Sequence, residues 1–187
     1  MARLAKNILK NNVTWHETTH VDVIQPGLVK TKKQTFHFDS VIDCRGLGAK
    51  GSIKNLRGVR GELIHIYAPD VRLKHMVRLM HPRYKLYLVP QENHYYILGA
   101  TQIESEDTSP MSVRSAMELL SALYVIHSGF SEARIVDMRT NCRPACLDNL
   151  PYIKCIDNRL IQVNGLFRHG YLLAPVLAQN VMTLFDS

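Results

Sequence analysis

The stretch that most constrains this chain is Leu160–Pro175, LIQVNGLFRHGYLLAP. Leu160, Ile161 and Val163 make a short, β-branched apolar run that reads as a buried strand. Gly165 and Gly170 then bracket a turn carrying Arg168 and His169. Leu173, Val176, Leu177, Val181, Leu184 and Phe185 follow at helical spacing, and Pro175 is predicted in the first helical turn, where its missing N–H costs nothing. Strand, glycine turn and helix start together expose backbone N–H groups to a polar or anionic ligand. An ordinary strand–helix connection shares the pattern, so the remainder of the chain decides between the two readings.

Composition narrows the classes. With 46% hydrophobic residues among 187, the chain can bury a core in one domain or two small ones. No apolar run is long enough to cross a bilayer as a helix, and no signal-peptide core is read at the N-terminus. The four cysteines, Cys44, Cys142, Cys146 and Cys155, do not form the dense pattern of a disulfide framework. Reduced, ordinary buried thiols in a cytoplasmic protein are expected, and Cys142 and Cys146 lack a second ligand pair at a zinc spacing. The net charge of +7 invites a nucleic-acid reading. The basic residues are dispersed, however, with Lys30, Lys32 and Lys33 in a predicted turn, and there is no helix-turn-helix, zinc-finger or aromatic RNA-binding motif. A solvated basic surface that attracts anionic substrate fits better.

Taken in order, Met1–Asn11 reads as the end of an amphipathic helix, with Leu4, Ile8 and Leu9 on one face. Val13–Ile24 and Thr35–Val41 read as a strand pair, separated by Pro26-Gly27 and the lysine cluster. His16-Glu17-Thr18-Thr19-His20 matches H-E-x-x-H, which binds zinc only from a helix. Its valine- and threonine-rich surroundings favour a strand, where the two histidine backbones would stand ~13 Å apart. Ser40–Gly51 reads as a buried strand running into a glycine turn, and Leu56–Pro69 as a strand entered through a Gly58–Gly61 turn. Lys85–Pro90 and His94–Thr101 form a hairpin turning at Gln91–Asn93, with Tyr87, Val89, Tyr95 and Ile97 on one face. Ser112 caps a helix whose predicted apolar stripe is Val113, Ala116, Met117, Leu120, Leu123 and Tyr124, ending near His127–Gly129. Ala133–Met138 is a strand leading into TNCRPACLDNLPYI.

Several of these segments resemble the FAD-dependent amino-acid oxidases of the D-amino-acid oxidase and glycine oxidase type. NGLFRHGYLLAP resembles that family's flavin-contacting turn, DCRGLGA a strand passing the dinucleotide, YLVP…GAT its substrate-pocket strands, and CRPACLDNLP its Arg-Pro hallmark. The resemblance implies that Arg143 holds the substrate carboxylate, with Tyr87 and Arg168 lining the substrate side. A surface ion pair for Arg143 and a core stack for Tyr87 are the plainer alternatives. It further implies that Val21, Gly46, Leu166, Phe167, Arg168, His169, Gly170, Tyr171 and Leu172 contact FAD. His169 stands where the family varies and is given no acid–base duty. Gln102 stands where relatives carry an apolar residue.

The implied fold is α+β with α/β character. An antiparallel-rich substrate sheet with a flanking helix joins the C-terminal part of a Rossmann-like FAD-binding domain whose N-terminal βαβ unit is absent. The implied partition is 1–57 (partial FAD-binding domain), 58–140 (substrate-binding domain) and 141–187 (return to the FAD-binding domain). No N-terminal βαβ unit opening on a G-x-G-x-x-G fingerprint is read in the chain, so a truncated protein, a fragment or the product of a split gene is expected, with weak or absent FAD binding. The implied reaction is oxidative deamination of glycine or a small amino acid by dioxygen, with thiamine biosynthesis as the implied pathway, in a family whose members often form homo-oligomers. The alternative is a non-catalytic module that binds a carboxylate ligand.

Overall fold

The computed structural model describes residues 13–80 and 85–185; the helix expected over Met1–Asn11 lies outside them. The largest element is a five-stranded antiparallel sheet in the order β6 (Val77–Met80), β7 (Lys85–Pro90), β8 (Tyr95–Gly99), β5 (Arg57–Tyr67), β9 (Arg134–Ala145). Helix α1 (Val113–Ile126) covers one face, where Ile64, Ile66, Leu88, Leu98 and Leu119 are fully buried. The other face carries the alternate positions, as strand geometry requires.

Two expectations change here. Gly58–Gly61 is not a turn but the start of the eleven-residue β5, pairing with Pro144–Asn141 of β9. The TNCRPA segment likewise continues the strand expected to stop near Met138, giving a twelve-residue β9. Glycine weakens a strand unless something needs the space, and at Gly61 the Arg143 guanidinium takes it. The junction expected at residues 140/141 therefore falls inside one strand. The β7–β8 hairpin forms as predicted, except that His94 belongs to a short 3₁₀ turn over Glu92–His94 and Thr101 lies beyond the strand.

Helix α1 begins where its cap predicts: Ser112 Oγ accepts from Ser115 N at 3.1 Å. Its buried face is only partly the predicted one: Leu123 is buried and Leu120 packs against the core as expected, but Ser115, Leu119 and Ala122 are buried outside the expected stripe. Ser115, Leu119, Ala122 and Leu123 pack inward, while Val113 (78% exposed), Met117 and Tyr124 face solvent. Ser115 is drawn in by the buried Glu62 carboxylate, which it hydrogen-bonds, and this turns part of the predicted stripe outward.

The N-terminal strands form a small antiparallel sheet, β1 (Val21–Gln25), β2 (Leu28–Thr31) and β3 (Thr35–His37). The expected strand pair is thus three strands, with Lys30 inside β2 and a Pro26-Gly27 hairpin turn. His16–His20 precedes β1 as irregular backbone, neither the helix of a zinc site nor the predicted strand. His16 packs edge-on against Phe36 at 5.0 Å, and His20 Nδ1 lies 3.1 Å from Asp22 Oδ1.

The third sheet is β10 (Tyr152–Asp157), β11 (Leu160–Asn164) and β4 (Val41–Asp43), with β11 and β4 parallel. Helix α2 (Gly170–Phe185) packs against it through Leu177 and Val181. Pro175 sits inside α2 rather than in its first turn, because the helix starts at Gly170, directly after the glycine turn. The cysteines are free, but Cys44 and Cys155 are exposed and Cys142 and Cys146 only half-buried, so the buried-thiol expectation is corrected. No helix among the described residues is long and apolar enough to cross a membrane.

Candidate functional site

Strands β4 and β11 run in parallel, so the turns that follow them open at the same end of the sheet. In open α/β sheets, ligands bind outside the carboxyl ends of such strands. After β4, a 3₁₀ turn (Gly46–Ala49) begins beside Asp43, whose buried carboxylate takes Arg45 Nε and Nη2, each at 2.9 Å. Burial works to raise the Asp43 pKa, but the hydrogen bonds and charge of Arg45 hold it below the ordinary value. After β11, Asn164 donates through Nδ2 to Gly46 O at 2.9 Å and accepts from Gly165 N at 2.8 Å, joining the two turns.

Gly165 (φ 68°) and Phe167 (φ 48°) are left-handed, which reverses the chain tightly before α2. Phe167 N donates to Pro144 O at 3.0 Å, and His169 N donates to Leu166 O at 2.9 Å. The turn is therefore tied to the end of β9. An apolar groove of about 500 Å³ lies between the parallel strands and α2, lined by Ile42, Gly46, Pro144, Leu166, Ala174 and Val181 among others. Gly46 and Leu166 thus meet at one groove, and Phe167, Arg168, His169 and Gly170 lie on the turn at its edge. Tyr171 (87% exposed) and Leu172 (76%) leave the first turn of α2 open to solvent. Val21 is not brought to this place: it pairs with Thr31 in the small N-terminal sheet and lines neither cavity.

One residue before Pro144, the same strand carries Arg143. It pairs with Val59 on β5, and its guanidinium lies across Gly61, filling the space a Cβ would take. That close approach is what the strand glycine permits. Arg143 Nη1 donates to Thr101 O at 3.2 Å and, more distantly, to Arg60 O at 3.5 Å. Tyr87 pairs with Gly99, and its hydroxyl lies 2.9 Å from where a Gly99 Cβ would stand. Tyr87 and Arg143 therefore share the sheet face opposite α1. Burial pulls the Arg143 pKa below the ordinary arginine value; the Tyr87 hydroxyl opposes this and the Arg168 charge adds to it. The guanidinium nonetheless stays charged at neutral pH.

Arg168 reaches from the turn to Gln102, whose Oε1 accepts from Nη1 at 3.2 Å. A cavity of about 790 Å³ opens beside Arg168 and Gln102 and runs toward the start of α1, lined by Thr101, Ser112, Glu118 and Leu86. Arg143 and Tyr87 do not line it. The carboxylates nearby have arginine partners of their own: Glu62 with Arg60, Glu104 with Arg57, Glu118 with Arg114. Among the described residues, neither Arg143 nor Arg168 forms an ion pair. Sequence reasoning missed Glu62 and Thr101, which support this arrangement; the only signal was the acidic residue in RGE, just before the apolar part of β5.

Over residues 1–184 the chain matches the DAO family, described as FAD dependent oxidoreductase. It belongs to that family. A Rhizobium etli protein that carries the name thiamine biosynthesis oxidoreductase ThiO, given as putative, is 46% identical over 143 residues, 76% of this chain and 43% of that protein. Glycine oxidase from Geobacillus kaustophilus superposes with a TM-score of 0.84 at 26% identity, over 99% of this chain and 52% of its own. Iminodiacetate oxidase from Chelativorans sp. BNC1 shares the fold, with a TM-score of 0.78 at 19% identity over 94% of this chain and 50% of its own. The chain spans about half the length of these relatives.

The residues present suit one end of FAD. The start of α2 offers backbone N–H groups that no intrahelical carbonyl can take, beside an apolar groove and Arg168. These are the donors and surfaces that a flavin ring with one polar edge requires. Gly46–Gly51, GLGAKG, spells G-x-G-x-x-G after β4, but it opens a four-residue 3₁₀ turn and not an α-helix, so it lacks the helix N-terminus on which a dinucleotide fingerprint seats the pyrophosphate.

Proposed function

We propose that this chain supplies the substrate face and flavin-side turn of an FAD-dependent oxidase that deaminates glycine or a small amino acid. The products are the imine or 2-oxo acid, ammonia and hydrogen peroxide, and the similarity to a ThiO-named protein supports a role in thiamine biosynthesis. The observation that carries the reading is Arg143, a partly buried guanidinium aimed by backbone carbonyls, beside Tyr87 and Arg168 and with no carboxylate of its own. A guanidinium fork matches a carboxylate with two parallel hydrogen bonds. Arg143 anchors the substrate carboxylate, Tyr87 bounds the small side of the pocket, and Arg168 adds positive charge on the flavin side.

Bound FAD supplies the hydride acceptor, so the side chains need only bind and orient. Gly46, Leu166, Phe167, Arg168, His169, Gly170, Tyr171 and Leu172 would hold the flavin end. Val21, in its separate sheet, would reach only a more distant part of the cofactor. Among the described residues the glycine-rich turn at Gly46–Gly51 opens no α-helix for a pyrophosphate, so FAD binding to the chain alone is expected to be weak. That lack also favours a second reading, a carboxylate-binding module without catalysis.

Titration with FAD, followed by visible absorption with peroxide release on glycine in parallel, separates the two. A perturbed flavin spectrum with peroxide supports an oxidase. Carboxylate binding that persists with no flavin uptake, here and in a chain extended by a G-x-G-x-x-G-containing half of a relative, supports the second reading and sinks the first.

A further inference from the structure

Thr101 and Gln102 are consecutive residues after β8, and each holds one of the two site arginines. The Thr101 carbonyl accepts from Arg143 and the Gln102 side chain from Arg168, both at 3.2 Å. This loop is pinned by a buried acid. Thr101 Oγ1 accepts from Glu62 N and donates to Glu62 Oε2, both at 2.9 Å, while Thr101 N donates to Glu62 O at 3.2 Å. Glu62 is fully buried, and its other carboxylate oxygen takes Arg60 Nη2 at 2.7 Å and Nε at 3.0 Å. Arg60 also donates to the carbonyls of Asp107, at 2.7 Å, and Pro110, at 2.9 Å. A buried charge with both oxygens occupied makes a rigid anchor, whereas a half-satisfied one would be unstable.

We propose that Glu62, Thr101 and Gln102 form a positioning relay: Glu62 fixes Thr101, the Thr101 carbonyl aims Arg143, and Gln102 sets Arg168 beside it. The relay rests on the reading of these arginines as the carboxylate site. Its physical value is preorganisation. An arginine has a long, freely rotating stem, and a fork aimed in advance loses less freedom when it meets a carboxylate. Two like charges held side by side also repel, and neutral acceptors on adjacent residues keep both in place without neutralising either. The nearby carboxylates could not do this, because each would cancel the charge that the ligand needs. None of the three relay residues touches substrate in this scheme.

The test uses ¹⁵N-labelled chain and the Nε–Hε resonances of Arg143 and Arg168, assigned with R143K and R168K. Side-chain rigidity is read from the heteronuclear NOE, and affinity from a titration with acetate. T101V is expected to loosen Arg143 and weaken acetate binding about five-fold, the scale of one lost hydrogen-bonding link. T101S restores both, which repair of packing alone would not achieve. Q102A is expected to loosen Arg168 and leave Arg143 rigid. Folded T101V with unchanged Arg143 rigidity overturns the relay. So does an unchanged Arg168 in Q102A, a substitution at an exposed position where loss of folding is not at issue. Acetate that shifts neither arginine in the unaltered chain refutes the carboxylate-site reading instead, while the NOE comparison still decides the relay.

Discussion

The five-stranded sheet with α1 and the parallel pair with α2 are built to different standards. The first buries Ile64, Ile66, Leu88, Leu98 and Leu119 completely in one continuous core. The second buries Ile161, Leu160 and Val41 of its strands and Leu177 and Val181 of its helix, but that helix leaves Tyr171, Leu172, Val176 and Met182 exposed, and Ile42 on β4 is exposed too. Parallel strands are normally covered on both faces, and here the cover is thin. The difference teaches that the five-stranded sheet is held by its own packing, whereas the glycine turn before α2 borrows rigidity from β9 and from Asn164.

The largest test of this contrast is cavity formation. Leu98→Ala is expected to cost about 3–4 kcal/mol and Leu177→Ala about 1–2 kcal/mol in urea denaturation, because the second site can relax toward solvent. Equal losses would break the contrast. Acid comes next. Glu62 and Asp43 are both held below their ordinary pKa, against the effect of burial, by hydrogen bonds from Ser115, Arg60 and Thr101 in one case and from Arg45 in the other. A depressed carboxylate stabilises the fold fully above its unfolded-state pKa, and that stability is lost as pH falls through the folded value. Thermal midpoints should therefore drop as pH falls below the ordinary carboxylate range, and the drop that remains in E62Q is shared by Asp43 with the exposed Glu106, Asp107 and Asp137, whose own partners also lower them. A midpoint flat down to pH ~2 would contradict the assignment. The smallest effect is at the open helix start: Tyr171→Ser should change stability by less than about 0.5 kcal/mol, yet weaken any flavin uptake. A large destabilisation would mean that the α2 region is as tightly packed as the sheet.

Local features were legible in the sequence. Ser112 as a cap, the β7–β8 hairpin and the strand–turn–helix around Gly165 all follow from short-range chemistry. What failed depended on distant partners. Gly58 and Gly61 read as a turn because the guanidinium that fills the space at Gly61 arrives from Arg143, more than eighty residues later. Part of the α1 face was misjudged, though Leu120 and Leu123 were read correctly, because Ser115, polar in sequence, serves the buried Glu62, while Met117 and Tyr124 are left in water. Pro175 suggested a later helix start, since the glycine turn was enough to begin α2 at Gly170. At the site, sequence could nominate Arg143, Tyr87 and Arg168 but could not reveal that Thr101 and Gln102 hold two of them.

Strand β9 has a consequence for alignment tolerance. Arg143, across Gly61, and Pro144, whose carbonyl holds the Phe167 amide, are neighbours on one strand. Successive strand residues advance by only ~3.3 Å, a step fixed by covalent geometry. Any drift of the sheet therefore carries the glycine turn along with it. The registration of one side of the site against the other is a property of a single peptide bond and not of how two bodies happen to dock.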